Sequence, residues 1–328
     1  MIGGSATPHD HDHGWQSRFV VPMLFAVAGT VIFLPGVGEA HLLSTTTRIL
    51  IFAGAALVLD LLVGFAGLVS FGHAASIGIG AYTTGILASH EITEGLVALP
   101  LAIAAAGTFA LVTGIVGLRT QGVYFIMITL AFGQMAFFTA GSLAPYGGDD
   151  GLTITRRSLI AGQSWLESDR ALCALAYAWL LATYALCNWL AFSPFGRVLR
   201  GARENALRVE TLGFNVFRYR LAAYVLVGAL GGGSGFLLAN ATLFVSPAYM
   251  SWQRSGELLV MIILGGIGTL HGAVLGAATY ILVEEVLSGW TEHWPIIFGP
   301  LLVAVALFAP GGLLGGVRKL RNTARTVG

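Results

Sequence analysis

Apolar stretches of near membrane-spanning length recur along the whole of this chain, at about 19–37, 49–64, 72–89, 95–117, 122–141, 171–192, 220–240, 256–287 and 294–310. A helix needs about 20 mainly apolar residues to cross the hydrocarbon of a bilayer. In lipid, only elements that satisfy their own backbone hydrogen bonds can do so. Of the 328 residues 56% are hydrophobic and 10% charged, against about 25% charged in soluble domains, so water is not the solvent for most of the surface. The 45 glycines sit inside the apolar runs, where they read as close helix packing and broken helices. The expected fold is all-α: a polytopic transmembrane bundle of about eight to nine membrane segments.

The distribution of charge sets the expected orientation, because Lys and Arg accumulate on the cytoplasmic side. Arg197, Arg200, Arg203, Arg208, Arg218 and Arg220 lie in the segment 193–220, and Arg318, Lys319, Arg321 and Arg325 in the tail. With both inside, six crossings counted back from 193 place the N-terminus inside with Arg18, and Arg119 in a short inner loop. Outer segments are then 38–48, 90–94, 142–170, 241–255 and 288–293. The expected organisation is a polar cytoplasmic tail (1–18), a membrane domain (19–310) and a basic cytoplasmic tail (311–328). Residues 1–18 lack the features of a cleavable signal peptide. Cys173 and Cys187 are 14 positions apart on one expected helix, roughly 21 Å at 1.5 Å per residue, so they cannot bridge each other.

Parity constrains the C-terminal half. If 220–240, 256–287 and 294–310 each crossed once, the basic tail would end outside. About 32 residues are too few for two full crossings at roughly 20 each, so 256–287 is expected to be broken or re-entrant, entering and leaving on the outer side. A continuous tilted helix with an outside tail is the alternative. The middle of the segment reads Gly265-Gly266-Ile267-Gly268-Thr269-Leu270-His271, and irregular backbone at membrane depth survives only where protein or a water-filled cavity satisfies it. A second glycine-dense stretch, Gly64 to Tyr82, includes Gly72, His73, Gly78 and Gly80. The spacing His-x-Ala-x-x-Gly-x-x-x-Tyr occurs at His73–Tyr82 and again at His271–Tyr280, which is either an internal repeat of the kind transporters use or chance in a low-complexity sequence.

No motif for holding nucleotide phosphates is present. Lys319 is the only lysine, and no Gly-x-x-x-x-Gly-Lys-[Ser/Thr] run exists, so ATP, if it drives this protein, binds another chain. In the inner segment, Val198, Leu199, Ala202, Ala206, Val209 and Leu212 form an apolar stripe at helical spacing and Gly213 ends the helix. Such a helix either lies on lipid headgroups or sits in a partner's groove; a plain positive-inside anchor is the simpler account. The outer loop 142–170 offers Asp149 and Asp150 either to a docking protein or only to solvent. His9-Asp10-His11-Asp12-His13 has metal-ligand residue types without a cage, and no metal site is expected.

Gly67-Leu68-Val69-Ser70-Phe71-Gly72-His73-Ala74 with Gly78-Ile79-Gly80-Ala81-Tyr82 resembles the signature of the branched-chain amino-acid ABC permeases of the LivM type. So do Leu118-Arg119-x-x-Gly122-Val123-Tyr124-Phe125, Thr129-Leu130-Ala131-Phe132-Gly133, Gly147-Gly148-Asp149-Asp150-Gly151-Leu152, Ser193-Pro194-Phe195-Gly196-Arg197, Arg203-Glu204-Asn205 and Leu264-Gly265-Gly266-Ile267-Gly268-Thr269. The ordered set covers roughly residues 48–316. The resemblance implies a bacterial inner-membrane permease subunit without its own ATPase site or cofactor. Its implied partners are a homologous LivH-type permease, two ATPase subunits that bind ATP, an extracytoplasmic solute-binding protein and membrane lipid, with no nucleic acid. It also implies that 197–213 is the coupling helix, with Arg200, Arg203, Glu204, Asn205, Leu212 and Gly213 toward the ATPase. Its Arg-Glu-Asn departs from the strict Glu-Ala-Ala…Gly spacing of other importers. Asp60 stands where such permeases usually have Asn. A central charged Asp costs about 2.5–3.5 kcal/mol on insertion scales, so it is expected to be paired, protonated or facing a cavity.

The resulting expectation is an importer subunit for branched-chain amino acids or related small polar solutes such as urea or amides. Its expected translocation path is lined by Gly72, His73, Gly78, Gly80, Tyr82, Gly265, Gly266, Gly268 and His271, whose freed backbone groups would hydrogen-bond a zwitterion. Gly148, Asp149 and Asp150 are the expected docking points for the binding protein. The alternatives are an ion-coupled secondary transporter using Asp60 with Glu284 or Glu285, and an intramembrane enzyme using His73 or His271.

Overall fold

The computed structural model describes residues 40–290 together with 293, 296, 298–300 and 312. The expected first and last spans, 19–37 and 294–310, both tails and the His-Asp run at 9–13 lie wholly or mostly outside these residues. The described chain is a helical bundle: α1 (Ala40–Asp60, continued by a π-turn Leu61–Phe65), α2 (His73–Ser89), α3 (Gly95–Gly117), α4 (Val123–Ser142), α5 (Asp169–Phe192), α6 (Pro194–Thr211), α7 (Val216–Thr242), α8 (Trp252–Gly265) and α9 (Leu270–Ser288). Six of these helices are long and apolar enough to cross a membrane. The single sheet among the described residues is a two-residue antiparallel pair, β1 (Leu152–Thr153) with β2 (Phe244–Val245). It ties the 142–170 loop to the segment after α7.

From Ile49 to Leu59 helix α1 is apolar on every face, and such a stretch is a core element. Ala53, Ala55, Ala56, Leu57, Val58 and Leu59 are fully buried. It begins at Ala40, so residues 40–48, which fall in the expected outer segment 38–48, form the first turns of the central helix. Outer helices show the reverse distribution: Val112, Tyr124, Met127, Phe138 and Trp189 are exposed, as side chains facing hydrocarbon are.

Small residues bring the inner helices into backbone contact. A Cβ on Gly235 of α7 would lie 2.8 Å from the Ala81 amide of α2, and Gly80 abuts Gly232 in the same seam. In lipid, helix association depends on such close packing, because apolar surface alone gives no preference for protein over acyl chains.

The segment expected to be broken is two helices. Gly266 (φ +111°) and Gly268 (φ +80°) turn the chain between α8 and α9, in a backbone region that glycine enters at little cost. The two legs run antiparallel with almost no space between them: Gly265 faces Gly272, and a Cβ on Gly276 would lie 2.7 Å from the Gly265 amide. Arg254 near the start and Glu285 near the end line one cavity together with residues of the first turns of α1. Both ends of the hairpin therefore lie at one end of the bundle, and its tip lies at the other, beside the arginine-rich α6. The expected break is present, between α8 and α9.

Candidate functional site

The two glycine-rich breaks of the sequence meet at the tip of the hairpin. After its π-turn, α1 gives way to an irregular run through Gly67 (φ +69°) to the start of α2 at His73. Gly64, in the π-turn, lies so close to the hairpin tip that a Cβ there would sit 2.7 Å from the Gly268 amide nitrogen. The Gly268 N–H donates to Asp60 Oδ1 at 2.8 Å. Asp60 is fully buried, and its Oδ2 has no hydrogen-bond partner among the described residues. A carboxylate from the central helix thus satisfies the backbone of the second break at the level of the first, an arrangement that irregular backbone inside a membrane protein requires.

Helix α6 closes over this junction. Ser193 caps its start by accepting from Gly196 N at 3.4 Å, and Pro194 occupies the first turn, where its missing N–H leaves no gap. Arg203 Nη1 donates to the Gly64 carbonyl. Arg200 donates to Ala191 O at 2.8 Å and stands 5.6 Å from the centre of the Phe65 ring, within cation–π reach. Between α6, α5 and the tip lies a cavity of about 670 Å³ whose lining includes Asn188, Arg200, Arg203, Glu204, Gly268 and His271. His271 Nδ1 is 3.1 Å from the Tyr184 hydroxyl. Residues expected to couple to a partner and residues expected to line a path therefore surround one space.

Other expected residues lie apart from it. Gly72 packs on the Thr129 carbonyl at the start of α2. Gly78 and Gly80 are inside α2, against Met250 and Gly232, where they make helix contacts and free no backbone. His73 is buried, close to the Ala55 backbone, and its Nε2 has no partner among the described residues. Tyr82 borders a mostly apolar cavity of about 400 Å³ between α2 and α4. Asp149 and Asp150 are exposed at the opposite end of the bundle, in a tight turn where Gly147 and Gly148 have positive φ. Arg157 fastens that loop, bonding Asp169 Oδ1 at 2.6 Å and the carbonyls of Leu166, Glu167 and Asn240 at 3.1 Å.

Helix α6 also corrects an expectation. The segment 197–213 is not one continuous helix: Asn205 has non-helical torsions (φ −155°, ψ 99°), and its Oδ1 accepts from Arg208 N at 2.9 Å. Asn205 is thus the N-cap of a second, short helix. The apolar stripe divides accordingly, with Leu199, Ala202 and Val209 buried but Leu212 71% exposed, beside an equally exposed Leu207. Gly213 (φ +90°) ends the element, as expected of a C-terminal glycine.

Sequence reasoning kept Asp60 outside its set of path residues, although a lone carboxylate in an apolar run was the signal. It missed Arg48 and Arg254 altogether. Arg48 pairs with Glu284 at 2.8 Å and Arg254 with Glu257 at 2.6 Å. Glu284 is therefore held by an arginine, and Arg48 stands twelve positions before Asp60 on the same helix, roughly 18 Å along the axis. The structure does not assemble Asp60 and Glu284 into one ion site.

A family profile described as the permease component of branched-chain amino acid transport systems matches residues 41–309. The high-affinity branched-chain amino acid transport system permease protein LivM of Escherichia coli (strain K12) is 28% identical over 336 residues, spanning 94% of this chain and 78% of that protein. LivH of the same strain is 29% identical over 137 residues, 41% of this chain and 44% of the relative. The probable LivM of Methanocaldococcus jannaschii is 26% identical over 160 residues, 42% of this chain and 46% of the relative. No solved structure matches.

Proposed function

The chain belongs to the family of branched-chain amino acid transport permease components, and we propose that it is the membrane-spanning subunit of an ABC importer that moves branched-chain amino acids inward. Related small polar solutes, such as urea or short amides, fall within the same reading. ATP is bound and hydrolysed on two partner subunits. A LivH-type permease completes the pathway, and an extracytoplasmic binding protein delivers solute at the end that carries Gly148, Asp149 and Asp150. The chain sits in the cytoplasmic membrane of its cell, with the segment 193–220 inside.

One observation carries the mechanism: the hairpin tip and the arginine-rich α6 share a cavity and are joined through Gly64 and Asp60. A push on α6 from the ATPases therefore reaches the tip directly, through Arg203 to the Gly64 carbonyl and through the Asp60–Gly268 bond. The exposed Leu207 and Leu212 are the apolar contacts α6 offers to an ATPase groove. Because α6 follows α5 after Ser193 and precedes α7 by only a short turn, its displacement tilts both helices and switches the side to which the pathway opens.

The test is Gly266→Leu. At φ +111° any side chain strains the turn, so ATP-dependent uptake of L-leucine by proteoliposomes holding the assembled importer should be lost while the ATPase subunits still co-purify. Equal loss of assembly would count against a role in the pathway. Gradient-driven uptake by the purified chain alone would favour an ion-coupled secondary transporter.

A further inference from the structure

At the end of the bundle away from α6, the structure holds a second polar cavity, of about 340 Å³, that the coupling mechanism does not use. It opens between α1, α7 and the base of the hairpin. Arg48, Arg254 and Glu285 supply charge to its walls, and Phe52, Leu238 and Ala241 supply apolar surface. The arginines are only partly committed. Arg48 Nη2 donates to both carboxylate oxygens of Glu284 at 2.8 Å, and Arg254 Nη1 donates to Glu257 at 2.6 Å. Both side chains are 35% exposed, and a guanidinium carries donors on all three nitrogens. Glu285 Oε1 lies 3.1 Å from Nε2 of a largely exposed His41, a contact that an incoming cation can replace.

Arg48 is matched by Glu284 and Arg254 by Glu257, which leaves Glu285, beside His41, as the carboxylate without an arginine. Ionisable residues within membrane segments are uncommon and mark solute or ion pathways. A zwitterion can place its ammonium on Glu285 and its carboxylate on the remaining guanidinium donors, and so brings no net charge of its own into a low-dielectric site. An anion alone would leave Glu285 without an ammonium, and a cation alone would leave the remaining guanidinium donors without an acceptor. We propose that this cavity holds the backbone of an α-amino acid, its carboxylate on Arg254 and Arg48, its ammonium on Glu285, and its aliphatic side chain against Phe52, Leu238 and Ala241. The proposal rests on the importer reading and locates the substrate within it. It assigns recognition to side chains of α1, α8 and α9 in place of backbone freed at the glycine breaks. The volume falls near the lower end of the ~300–1,000 Å³ of small-molecule sites, as a single amino acid requires.

The experiment uses the assembled importer in nanodiscs, without the binding protein, titrated with radiolabelled L-leucine. Arg254→Gln is expected to weaken binding by about ten-fold or more, the effect of losing one charge-assisted hydrogen bond. Ala241→Phe, which fills the cavity and removes no charge, should weaken it as well. Isoamylamine, which lacks the carboxylate, should compete poorly in the wild type, and its disadvantage relative to leucine should shrink in Arg254→Gln. Glu91→Gln, in an exposed turn outside the cavity, should bind leucine as the wild type does. Unchanged affinity in both Arg254→Gln and Ala241→Phe, or no measurable leucine binding by the wild type, would overturn the site. The importer reading has its own arm: it stands if wild-type proteoliposomes take up leucine with ATP, and fails if they do not.

Discussion

Asp60 carries the most consequence for its size. It accepts from Gly268 N at 2.8 Å and is fully buried. Asp60→Asn keeps an acceptor there and should retain uptake. Asp60→Leu leaves the Gly268 amide unsatisfied, which costs about 1–3 kcal/mol, and should lower the thermal midpoint of the purified importer and abolish transport. Wild-type uptake by the Leu variant would remove Asp60 from the coupling route. The carboxylate itself was conspicuous in the sequence; its partner was not, because Gly268 is 208 positions away. Arg48 was hidden for the same reason, its partner lying 236 positions on, and for the further one that its neighbourhood reads as a loop. Asn205 illustrates a local limit. An Asn within an amphipathic stripe reads equally well as a polar face residue, and only the bond to Arg208 N makes it a cap.

Among the elements, helices were legible and glycines only half so. A run of about twenty apolar residues in lipid leaves the backbone one solution, and the broken hairpin followed from counting sides. A glycine, however, marks either a turn or a close approach. Gly266 and Gly268 turned out to be the first kind, and Gly78 and Gly80 the second, and the difference lies in what faces them. The seam between α2 and α7 therefore makes its own prediction. Gly235→Ala places a methyl group 2.8 Å from the Ala81 amide. Overpacking of this kind costs about 1–3 kcal/mol, so the variant should unfold at a lower temperature in detergent. A midpoint equal to that of the wild type would mean that α2 and α7 are free to separate.

At the scale of the whole molecule, polarity of charge gives an orientation that labelling can test. Single cysteines at Leu212 and at Asp150, in a chain whose Cys173 and Cys187 are buried, should react with impermeant maleimide from opposite faces of sealed vesicles, Leu212 from the cytoplasmic side only. Reaction of both from one face would remove the ATPase contact and the coupling route together. The family and the all-helical bundle were readable from ordered motifs and apolar periodicity. The meeting of the two breaks was not, since it depends on how α1 and the hairpin pack.

The tight fit between α8 and α9 has a mechanical corollary. Two rods of fourteen and nineteen residues, about 21 and 28 Å long, touch backbone to backbone near their tip and have little freedom to bend separately there. Such a fused lever rocks as one body. On the proposed mechanism, a nudge delivered where Asp60 holds its point would swing the charged crevice by its foot the opposite way, coupling the two faces of the membrane.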